Sequence, residues 1–305
     1  MVTAPVVQRS LVVVLLVVLV AGCGDDDSGG ASAGGERDST GRTERFSVAD
    51  VDFVGTLAVP GGEGPWPGVV VLGGSDGRQP TPLAEMLADE GYVALALSYF
   101  SAPGLPGQLA GIPLEYFETA LGWLADRPEV DADHLVVWGA SRGGEAALLV
   151  AATYPHLVGG VVAAVPANVV TCGLPDCDRP AWTLGGEAVP YVDEFGGAYY
   201  DNHPDAEIPV ERIAGPVLLI CGGQDRVWPS CPMSHAVIDR LDASDHSFPH
   251  QLLEYPDAGH FVSVPPAVPW PDDQLTRGGG TVDANNRDRE DAWDQTLDFL
   301  ADASK

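Results

Sequence analysis

The chain is poor in positive charge. Its 305 residues include 15 lysines and arginines against 44 aspartates and glutamates, which gives a formal net charge of −29. Such a surface repels the phosphate backbone of DNA and RNA, so the composition argues against nucleic acid as a partner. The chain has enough apolar side chains to build a core, because 45% of its residues are hydrophobic and 8% are aromatic.

The sequence also lacks a hydrophobic run long enough to cross a membrane. The apolar run Leu11–Ala21 has 11 residues, whereas a membrane-spanning helix needs about 20. With Arg9 before it, the run fits the hydrophobic region of a signal peptide. Val20-Ala21-Gly22-Cys23 then resembles a bacterial lipobox, in which a cysteine after small residues is lipidated. We predict a lipoprotein signal peptide over residues 1–22 and lipidation of Cys23. An ordinary signal peptide that happens to contain a cysteine is the alternative.

The segment after this signal has almost no apolar side chains. Residues 23–44 consist mainly of glycine, serine, aspartate and threonine, which predicts a flexible linker. We expect the folded domain over residues 45–305. The combination predicts an exported protein, held through its N-terminal lipid on the outer face of the bacterial cell membrane.

Cysteine is scarce in the body of the chain. Only Cys172, Cys177, Cys221 and Cys231 occur there, and an even number in an oxidising compartment is consistent with two disulfides. The local pairs Cys172–Cys177 and Cys221–Cys231 are the cheapest of the three connectivities to close. Free thiols are an alternative. No metal site is predicted, because no Cys and His residues have the spacing of zinc ligands.

Short apolar runs alternate with helical patterns along the body of the chain, and no internal repeat is present. We predict strands at residues 51–59 (an edge strand), 68–73, 93–98, 134–139, 160–165, 216–221 and 251–255. Helices are predicted at residues 83–90, 113–125, 146–152 and 291–301. This alternation is typical of an α/β protein whose sheet is mostly parallel and is covered by helices on both faces.

Two long segments interrupt this pattern. Pro166–Val210 and Pro265–Asp283 are rich in proline and glycine, and loops this long in a compact domain are usually functional. We expect the first segment to form a lid-like insertion that selects the substrate, with surface decoration as the alternative. Its aromatic side chains either line an acyl pocket or form a small core of the segment itself; they are Trp182, Tyr191, Phe195, Tyr199 and Tyr200.

The strongest motif is Gly139-Ala140-Ser141-Arg142-Gly143, which has the G-x-S-x-G pattern of a nucleophile elbow. It lies between a predicted strand and a predicted helix, as that turn requires. Small residues two positions before and after the serine let the strand and helix approach closely. The turn exposes the Ser141 hydroxyl at the carboxyl end of the sheet, beside a helix N-terminus that favours a developing anion. We therefore predict Ser141 as the catalytic nucleophile.

A serine hydroxyl is a poor nucleophile without a base, and after an elbow the acid and the histidine follow in that order. Asp225 directly follows one predicted strand, and His260 lies in the loop after the next. We predict that His260 takes the Ser141 proton while Asp225 orients the imidazole. Asp257 is an alternative acid, although it precedes His260 by only three residues. The other six histidines are expected on the surface. Such a triad needs no cofactor, and none is predicted.

The site also needs two backbone N–H groups to bind an oxyanion. We expect one from Arg142, the residue after the nucleophile. The other is expected from the glycine-rich turn at residues 73–77, with Gly74 or Ser75 as the donor. A simple turn with no role in catalysis is the alternative.

Six segments, considered together, resemble one known family. They are VVVLGGSDG, LADEGYVALALSYF, IPLEYFETALGWL, VVWGASRGGEAALLVA, CGGQDRVWPS and YPDAGH. They resemble the C-terminal domain of acyl-CoA thioesterases and bile acid-CoA:amino acid N-acyltransferases, which are dienelactone-hydrolase-like α/β-hydrolases. The resemblance covers roughly residues 50–300. It implies an α/β-hydrolase fold with a lid-like insertion, and it assigns the family's nucleophile, acid and base to Ser141, Asp225 and His260.

The resemblance implies hydrolysis of acyl-CoA, because the thioesterases carry serine at the nucleophile and the conjugating transferases carry cysteine. Two features depart from the family. The β-sandwich domain of eukaryotic members is not expected before the first core strand, and acyl-CoA is a cytosolic polyanion while this chain is acidic and predicted to be exported. We expect a serine hydrolase of a small acyl ester or thioester that forms an acyl-enzyme on Ser141. The alternatives are an exported carboxylesterase, an acyl transferase to an amine or hydroxyl acceptor, and a non-catalytic binding protein.

Overall fold

The computed structural model describes residues 41–193 and 203–305 of the chain. Its strands are β1 (Arg42–Phe46), β2 (Val54–Val59), β3 (Trp66–Leu72), β4 (Val93–Ser98), β5 (Ile112–Pro113), β6 (Val130–Ala140), β7 (Gly160–Ala164), β8 (Trp182–Leu184), β9 (Glu187–Ala188), β10 (Val217–Gly222) and β11 (His250–Tyr255). Its α-helices are α1 (Val48–Val51), α2 (Thr81–Asp89), α3 (Glu115–Ala125), α4 (Arg142–Thr153), α5 (Ser230–Ala243), α6 (Asp272–Leu275) and α7 (Val282–Ala303).

Eight of these strands form one sheet in the order β1-β2-β4-β3-β6-β7-β10-β11. Only β2 runs against its neighbours, and the pairs from β4 to β11 are all parallel. Every residue of β4, β7 and β10 is buried, as expected for strands covered on both faces. The predicted α/β fold with a mostly parallel sheet is confirmed.

Helices cover the sheet on its two faces. The apolar sides of α3 and α4 pack in one core cluster, for example through Phe117 and Leu148. The apolar sides of α2 and α7 pack in a second cluster, for example through Leu83 and Leu300. Because the strands from β4 to β11 are parallel, their carboxyl ends lie at one end of the sheet, where the loops after β3, β6, β10 and β11 meet.

The N-terminal boundary of the domain differs from the expected one. Strand β1 begins at Arg42 and pairs with β2, so residues 42–44 belong to the sheet and not to the linker expected over residues 23–44. The prediction of β2 as the edge strand was therefore wrong, because β1 covers that edge. Strand β1 was not predicted because most of its side chains are polar and exposed, so its sequence shows no clear alternation of apolar and polar residues. Residues 1–40, including Cys23, lie outside the described residues.

Two helices near the C-terminus depart from the sequence analysis. Helix α5 was not predicted; it fills the stretch between the predicted strands at 216–221 and 251–255. Helix α7 begins at Val282, nine residues before the predicted start, and Thr281 caps it by accepting a hydrogen bond from the Ala284 N–H at 3.1 Å. The first turns of α7 bury polar side chains, including Asn285 and Arg289, so they lack the apolar period of a helix.

The described parts of the expected insertion at Pro166–Val210 contain two short strands and a disulfide. Strands β8 and β9 form a small sheet with β5, and Cys172 is bonded to Cys177. Trp182 is fully buried in the same core cluster as α3 and α4, so its side chain belongs to the main core. Phe195, Tyr199 and Tyr200 lie outside the described residues. In the described ranges, no helix is long and apolar enough to cross a bilayer.

Candidate active site

The turn between β6 and α4 has the geometry of a nucleophile elbow. Ser141 stands between them with φ 56° and ψ −120°, a conformation that side-chain-bearing residues rarely adopt. Its backbone N–H donates to the Ala164 carbonyl at the end of β7, at 2.9 Å. The strained turn is therefore fixed to the neighbouring strand, and it places Ser141 at the carboxyl edge of the sheet.

The two glycines of the motif are required by close backbone contacts. A Cβ at Gly139 would lie 1.9 Å from the Gly143 carbonyl oxygen, and a Cβ at Gly143 would lie 2.4 Å from the Gly73 carbonyl oxygen. No side chain fits at either distance. Strand, helix and the loop after β3 thus meet at Ser141 at a distance that only glycine permits.

Asp225 and His260 are joined although 35 residues separate them. The His260 Nδ1 lies 2.8 Å from the Asp225 Oδ2, and the two side chains are only 6% and 1% exposed. The other carboxylate oxygen, Oδ1, accepts hydrogen bonds from the N–H groups of Val227 at 2.8 Å and Trp228 at 3.3 Å. A carboxylate held in this way keeps the imidazole proton on Nδ1 and leaves Nε2 free to act as a base.

The loops that carry the acid and the histidine are fastened to each other. The Gln224 N–H donates to the Ala258 carbonyl at 2.8 Å, and a Cβ at Gly222 would lie 2.4 Å from the Gly259 carbonyl oxygen. The disulfide between Cys221 and Cys231 closes the chain on either side of Asp225. The structure therefore holds Asp225 and His260 as one unit.

Asn285, in the first turn of α7, holds the backbone next to His260. The sequence analysis did not identify it. It is fully buried. Its Oδ1 accepts from the Gly259 N–H at 2.8 Å, and its Nδ2 donates to the Gly279 carbonyl at 3.0 Å. Gly278 in turn accepts from the His260 N–H at 2.9 Å. The helix thus positions the backbone on which His260 stands.

Trp228 is a second site residue that the sequence analysis missed. Its ring centroid lies 5.9 Å from that of His260, and its Nε1 donates to the Val165 carbonyl at 3.0 Å. Val165 directly follows Ala164, whose carbonyl accepts from the Ser141 N–H. Trp228 therefore connects His260 to the end of β7, to which the Ser141 backbone is hydrogen-bonded. The only sequence signal was a tryptophan three residues after the acid.

The glycine-rich loop after β3 lies next to Ser141. A Cβ at Gly74 would be 3.5 Å from the Ser141 Cβ and 4.0 Å from its hydroxyl oxygen, so Gly74 borders the space in front of the hydroxyl. The buried Tyr99 donates to the Gly73 carbonyl at 2.6 Å and holds the loop from behind. Ser75 is exposed. The Arg142 N–H is the first of α4, where helix N–H groups have no partner within the helix.

The side chain of Arg142 turns away from this space into the core. It is 2% exposed and lies 3.2 Å from Glu145, which is fully buried. Glu145 also accepts from the Thr171 hydroxyl at 2.7 Å and from the Trp182 Nε1 at 2.8 Å. This cluster ties the first turn of α4 to the insertion, which leaves only the backbone of Arg142 available at the site.

The alternative acid and the other described histidines lie elsewhere. Asp257 is exposed. Three of the histidines pair with carboxylates of their own: His134 with Asp131, His235 with Glu254, and His250 with Asp242. Over residues 41–193 and 203–305, no group of three or more His, Cys, Asp and Glu side chains is arranged to hold a metal ion.

Comparisons with protein families and curated proteins give one consistent result. The family model described as BAAT / Acyl-CoA thioester hydrolase C terminal matches residues 112–176 and 182–304. Acyl-coenzyme A thioesterase 6 of Mus musculus is 30% identical over 273 residues, which cover 84% of this chain and 64% of that protein. The peroxisomal succinyl-coenzyme A thioesterase of Mus musculus is 28% identical, with the same coverage. The chain spans less than two thirds of the length of these relatives.

Similar solved structures show the same fold. A Klebsiella pneumoniae protein described as a dienelactone hydrolase superposes with a TM-score of 0.60 at 20% identity, covering 86% of this chain and 99% of that one. A dienelactone hydrolase-like promiscuous phosphotriesterase from metagenomic libraries gives a TM-score of 0.55 at 19% identity, covering 87% and 99%. At these identities the likeness concerns the fold alone, and it agrees with the α/β architecture described above.

Proposed function

The chain belongs to the BAAT / acyl-CoA thioester hydrolase C-terminal family, and from that premise we propose that it hydrolyses acyl thioesters or esters. One observation carries the proposal. Ser141 stands in a strained elbow beside Gly74, at the same edge of the sheet as the buried pair of His260 and Asp225 at 2.8 Å. This is the set of groups that acyl transfer to a serine requires.

In the proposed first half-reaction, the Ser141 oxygen attacks the carbonyl carbon while the His260 Nε2 takes the hydroxyl proton. The negative charge that develops on the carbonyl oxygen is bound by backbone N–H groups, one from Arg142 and one from Gly74 or Ser75. The bond to the leaving thiol or alcohol then breaks, and that group takes the proton from His260. The product of this step is an ester between the acyl group and Ser141.

In the second half-reaction, water attacks the same carbonyl carbon. His260 removes a proton from the water and returns it to the Ser141 oxygen as the ester breaks, which releases a carboxylic acid. Asp225 stabilises the imidazolium in both halves. Serine at this position favours water as the acceptor, because its oxygen ester is readily hydrolysed.

The test compares the purified protein with Ser141→Ala on an acyl-CoA and a p-nitrophenyl ester that carry the same acyl group. We expect turnover by the wild type and a loss of at least about 10³-fold in the variant, since the nucleophile is removed. Cleavage of the simple ester alone would assign a carboxylesterase. Turnover that is unchanged in Ser141→Ala would contradict the proposal. Failure of a fluorophosphonate to label the wild type would indicate a binding protein.

We also propose that the protein is exported and anchored through a lipid on Cys23. The support is the apolar run Leu11–Ala21, whose last two residues begin the motif Val20-Ala21-Gly22-Cys23. Expression in a bacterium with a labelled fatty acid tests this proposal. The wild type should carry the label and sediment with membranes, whereas Cys23→Ser should lose both properties. A labelled Cys23→Ser protein would contradict the assignment.

A further inference from the structure

A pocket lies beside the glycine-rich loop after β3, at residues 73–77, on the face of the sheet that α2 and α7 cover. Its volume is about 240 Å³. Apolar side chains line most of it: Pro82, Leu83, Trp138, Val264, Val268 and Trp270. They come from the start of α2, from β6 and from the segment that follows His260. We call this space the Trp270 pocket.

The Trp270 pocket adjoins the nucleophile. Gly73, Gly74 and Ala140 line it. Ala140 directly precedes Ser141, and Gly74 is the residue whose Cβ would lie 3.5 Å from the Ser141 Cβ. A group attached to a carbonyl carbon at Ser141 can therefore enter the pocket past a residue that has no side chain.

One wall of the pocket, formed by the segment after His260, is fixed in place. Arg289 of α7, which is only 4% exposed, donates to the carbonyls of Val264 at 2.7 Å, Pro265 at 2.6 Å and Val268 at 2.9 Å. The Trp270 ring lies 5.4 Å from that of Phe261, the residue after His260. A wall held by one buried guanidinium is preorganised to limit the size of what it binds.

The chemistry of the lining selects the kind of ligand. The charged residues of the pocket are Asp76 and Arg78, which are exposed and lie 3.4 Å apart. Arg78 also covers the Trp270 ring at 6.0 Å. These two charges are exposed and pair with each other. The other polar groups of the lining are the side chains of Gln79 and Ser263 and the unpaired Nε1 donors of Trp138 and Trp270. The pocket therefore offers mainly apolar surface to a hydrocarbon and no free charge to a phosphate.

We propose that the Trp270 pocket binds the hydrocarbon chain of the acyl group, and that Val268 and Trp270 set its maximum length. The proposal rests on the proposed function, since it concerns the substrate of the same site. A cavity of about 150 Å³ holds benzene, so this pocket has room for a chain of about eight carbons. Each methylene that enters should raise kcat/KM about fourfold, until the chain reaches the wall.

The experiment uses p-nitrophenyl esters of acyl chains with two, four, six, eight, ten and twelve carbons with the full protein. Val268→Phe fills the pocket and should lower kcat/KM for the octanoate at least tenfold, with little change for the acetate. Trp270→Ala removes the wall and should extend the optimum to longer chains. Phe248→Ala is the matched control, because Phe248 is an exposed aromatic residue just before β11, at the opposite edge of the sheet from the site. Its chain-length profile should equal that of the wild type.

A second series distinguishes the acyl group from the leaving group. Acetate esters of alcohols with increasing chain length keep the acyl part constant. If Val268→Phe lowers kcat/KM in this series and leaves the first series unchanged, the pocket holds the leaving group and the proposal is overturned. Equal profiles for wild type, Val268→Phe and Trp270→Ala in both series would also overturn it.

Binding of the expected product separates this inference from the proposed function. Octanoate should quench the tryptophan fluorescence of the wild-type protein, to which Trp138 and Trp270 of the pocket contribute. This quenching should be smaller in Trp270→Phe, and Val268→Phe should weaken the binding at least tenfold. This result would support the pocket even if the protein turned over no ester. Turnover without octanoate binding at Trp270 would retain the hydrolase and reject the pocket.

Discussion

Gly74 and Gly143 have different roles although both are glycines near Ser141. A Cβ at Gly143 would lie 2.4 Å from the Gly73 carbonyl oxygen, a contact that the fold cannot accept. A Cβ at Gly74 would make only ordinary contacts, 3.5 Å from the Ser141 Cβ and 4.0 Å from its oxygen. At Gly143 the missing side chain permits the fold, and at Gly74 it leaves open the space in front of Ser141.

Gly74→Ala is therefore expected to fold normally and to lose activity. The added methyl group occupies the space that the substrate carbonyl must enter, so we expect kcat/KM to fall at least tenfold, while the melting temperature changes by less than about 2 °C. Gly143→Ala should instead lower the melting temperature strongly or prevent folding. Ester hydrolysis and thermal unfolding, measured on both variants, check the prediction. Full activity in Gly74→Ala would place the substrate elsewhere.

Asp225, the proposed acid, lies in the loop that joins β10 and α5. Cys221 and Cys231 are bonded across this loop, 10 positions apart, with Asp225 between them. The second disulfide, Cys172–Cys177, lies in the insertion and spans 5 positions. Both cross-links restrict the unfolded chain, but only the first also restrains the residue that orients His260.

Replacing Cys221 and Cys231 by serine should thus affect stability and catalysis together. The loss of the cross-link is expected to lower the free energy of unfolding by about 2–3 kcal/mol and to reduce kcat, because Asp225 becomes less well positioned. The control is the double serine variant at Cys172 and Cys177, which should lose stability and keep kcat. Urea unfolding and steady-state kinetics decide the outcome. Equal kcat in the two double variants would contradict a positioning role for the first disulfide.

A second contact between elements makes part of the stability depend on pH. His250 at the start of β11 lies 2.9 Å from Asp242 of α5, and this hydrogen bond to a carboxylate raises the pKa of His250 above its usual 6.5. A raised histidine pKa in the folded state stabilises the protein below the unfolded pKa, near 6.5. That contribution is lost as the pH rises through the folded pKa.

Asp242→Asn should remove this dependence. The free energy of unfolding of the wild type relative to the variant should be larger at pH 6 than at pH 9, by less than about 1 kcal/mol because Asp242 is mostly exposed. Urea unfolding of both proteins at the two pH values provides the measurement. A difference that is constant, or larger at pH 9, would show that the pair does not act through the charge of His250.

At the scale of the whole molecule, the net charge of −29 opposes an anionic substrate. Salt screens that repulsion, since the Debye length falls from about 30 Å at 0.01 M to about 8 Å at 0.15 M ionic strength. For an acyl-CoA, kcat/KM should therefore rise about threefold or more over this range. For a neutral p-nitrophenyl ester of the same acyl group it should stay constant. A decrease for acyl-CoA would indicate a local basic site for the leaving group.

The sequence by itself determined the features that depend on neighbours along the chain. Buried parallel strands are continuous apolar runs, so β3, β4, β6, β7 and β10 could be predicted. The elbow could be predicted as well, because its glycines lie two positions on either side of Ser141. These features are local, and local patterns are what a single sequence records.

The tertiary structure decided the features that depend on contacts between distant segments. The contacts to His260 and to the loop after β3 come from distant segments. Tyr99 lies just after β4, Trp228 lies just before α5, and Asn285 lies in α7. Arg289 fixes the Trp270 pocket only because α7 packs against the segment after His260. Tyr99 and Trp228 lie outside the strands and helices, and Asn285 and Arg289 are polar, so none of the four belongs to an apolar period. Hydrophobic patterns therefore do not predict the roles of these residues, because their contacts with distant segments form only in the folded chain.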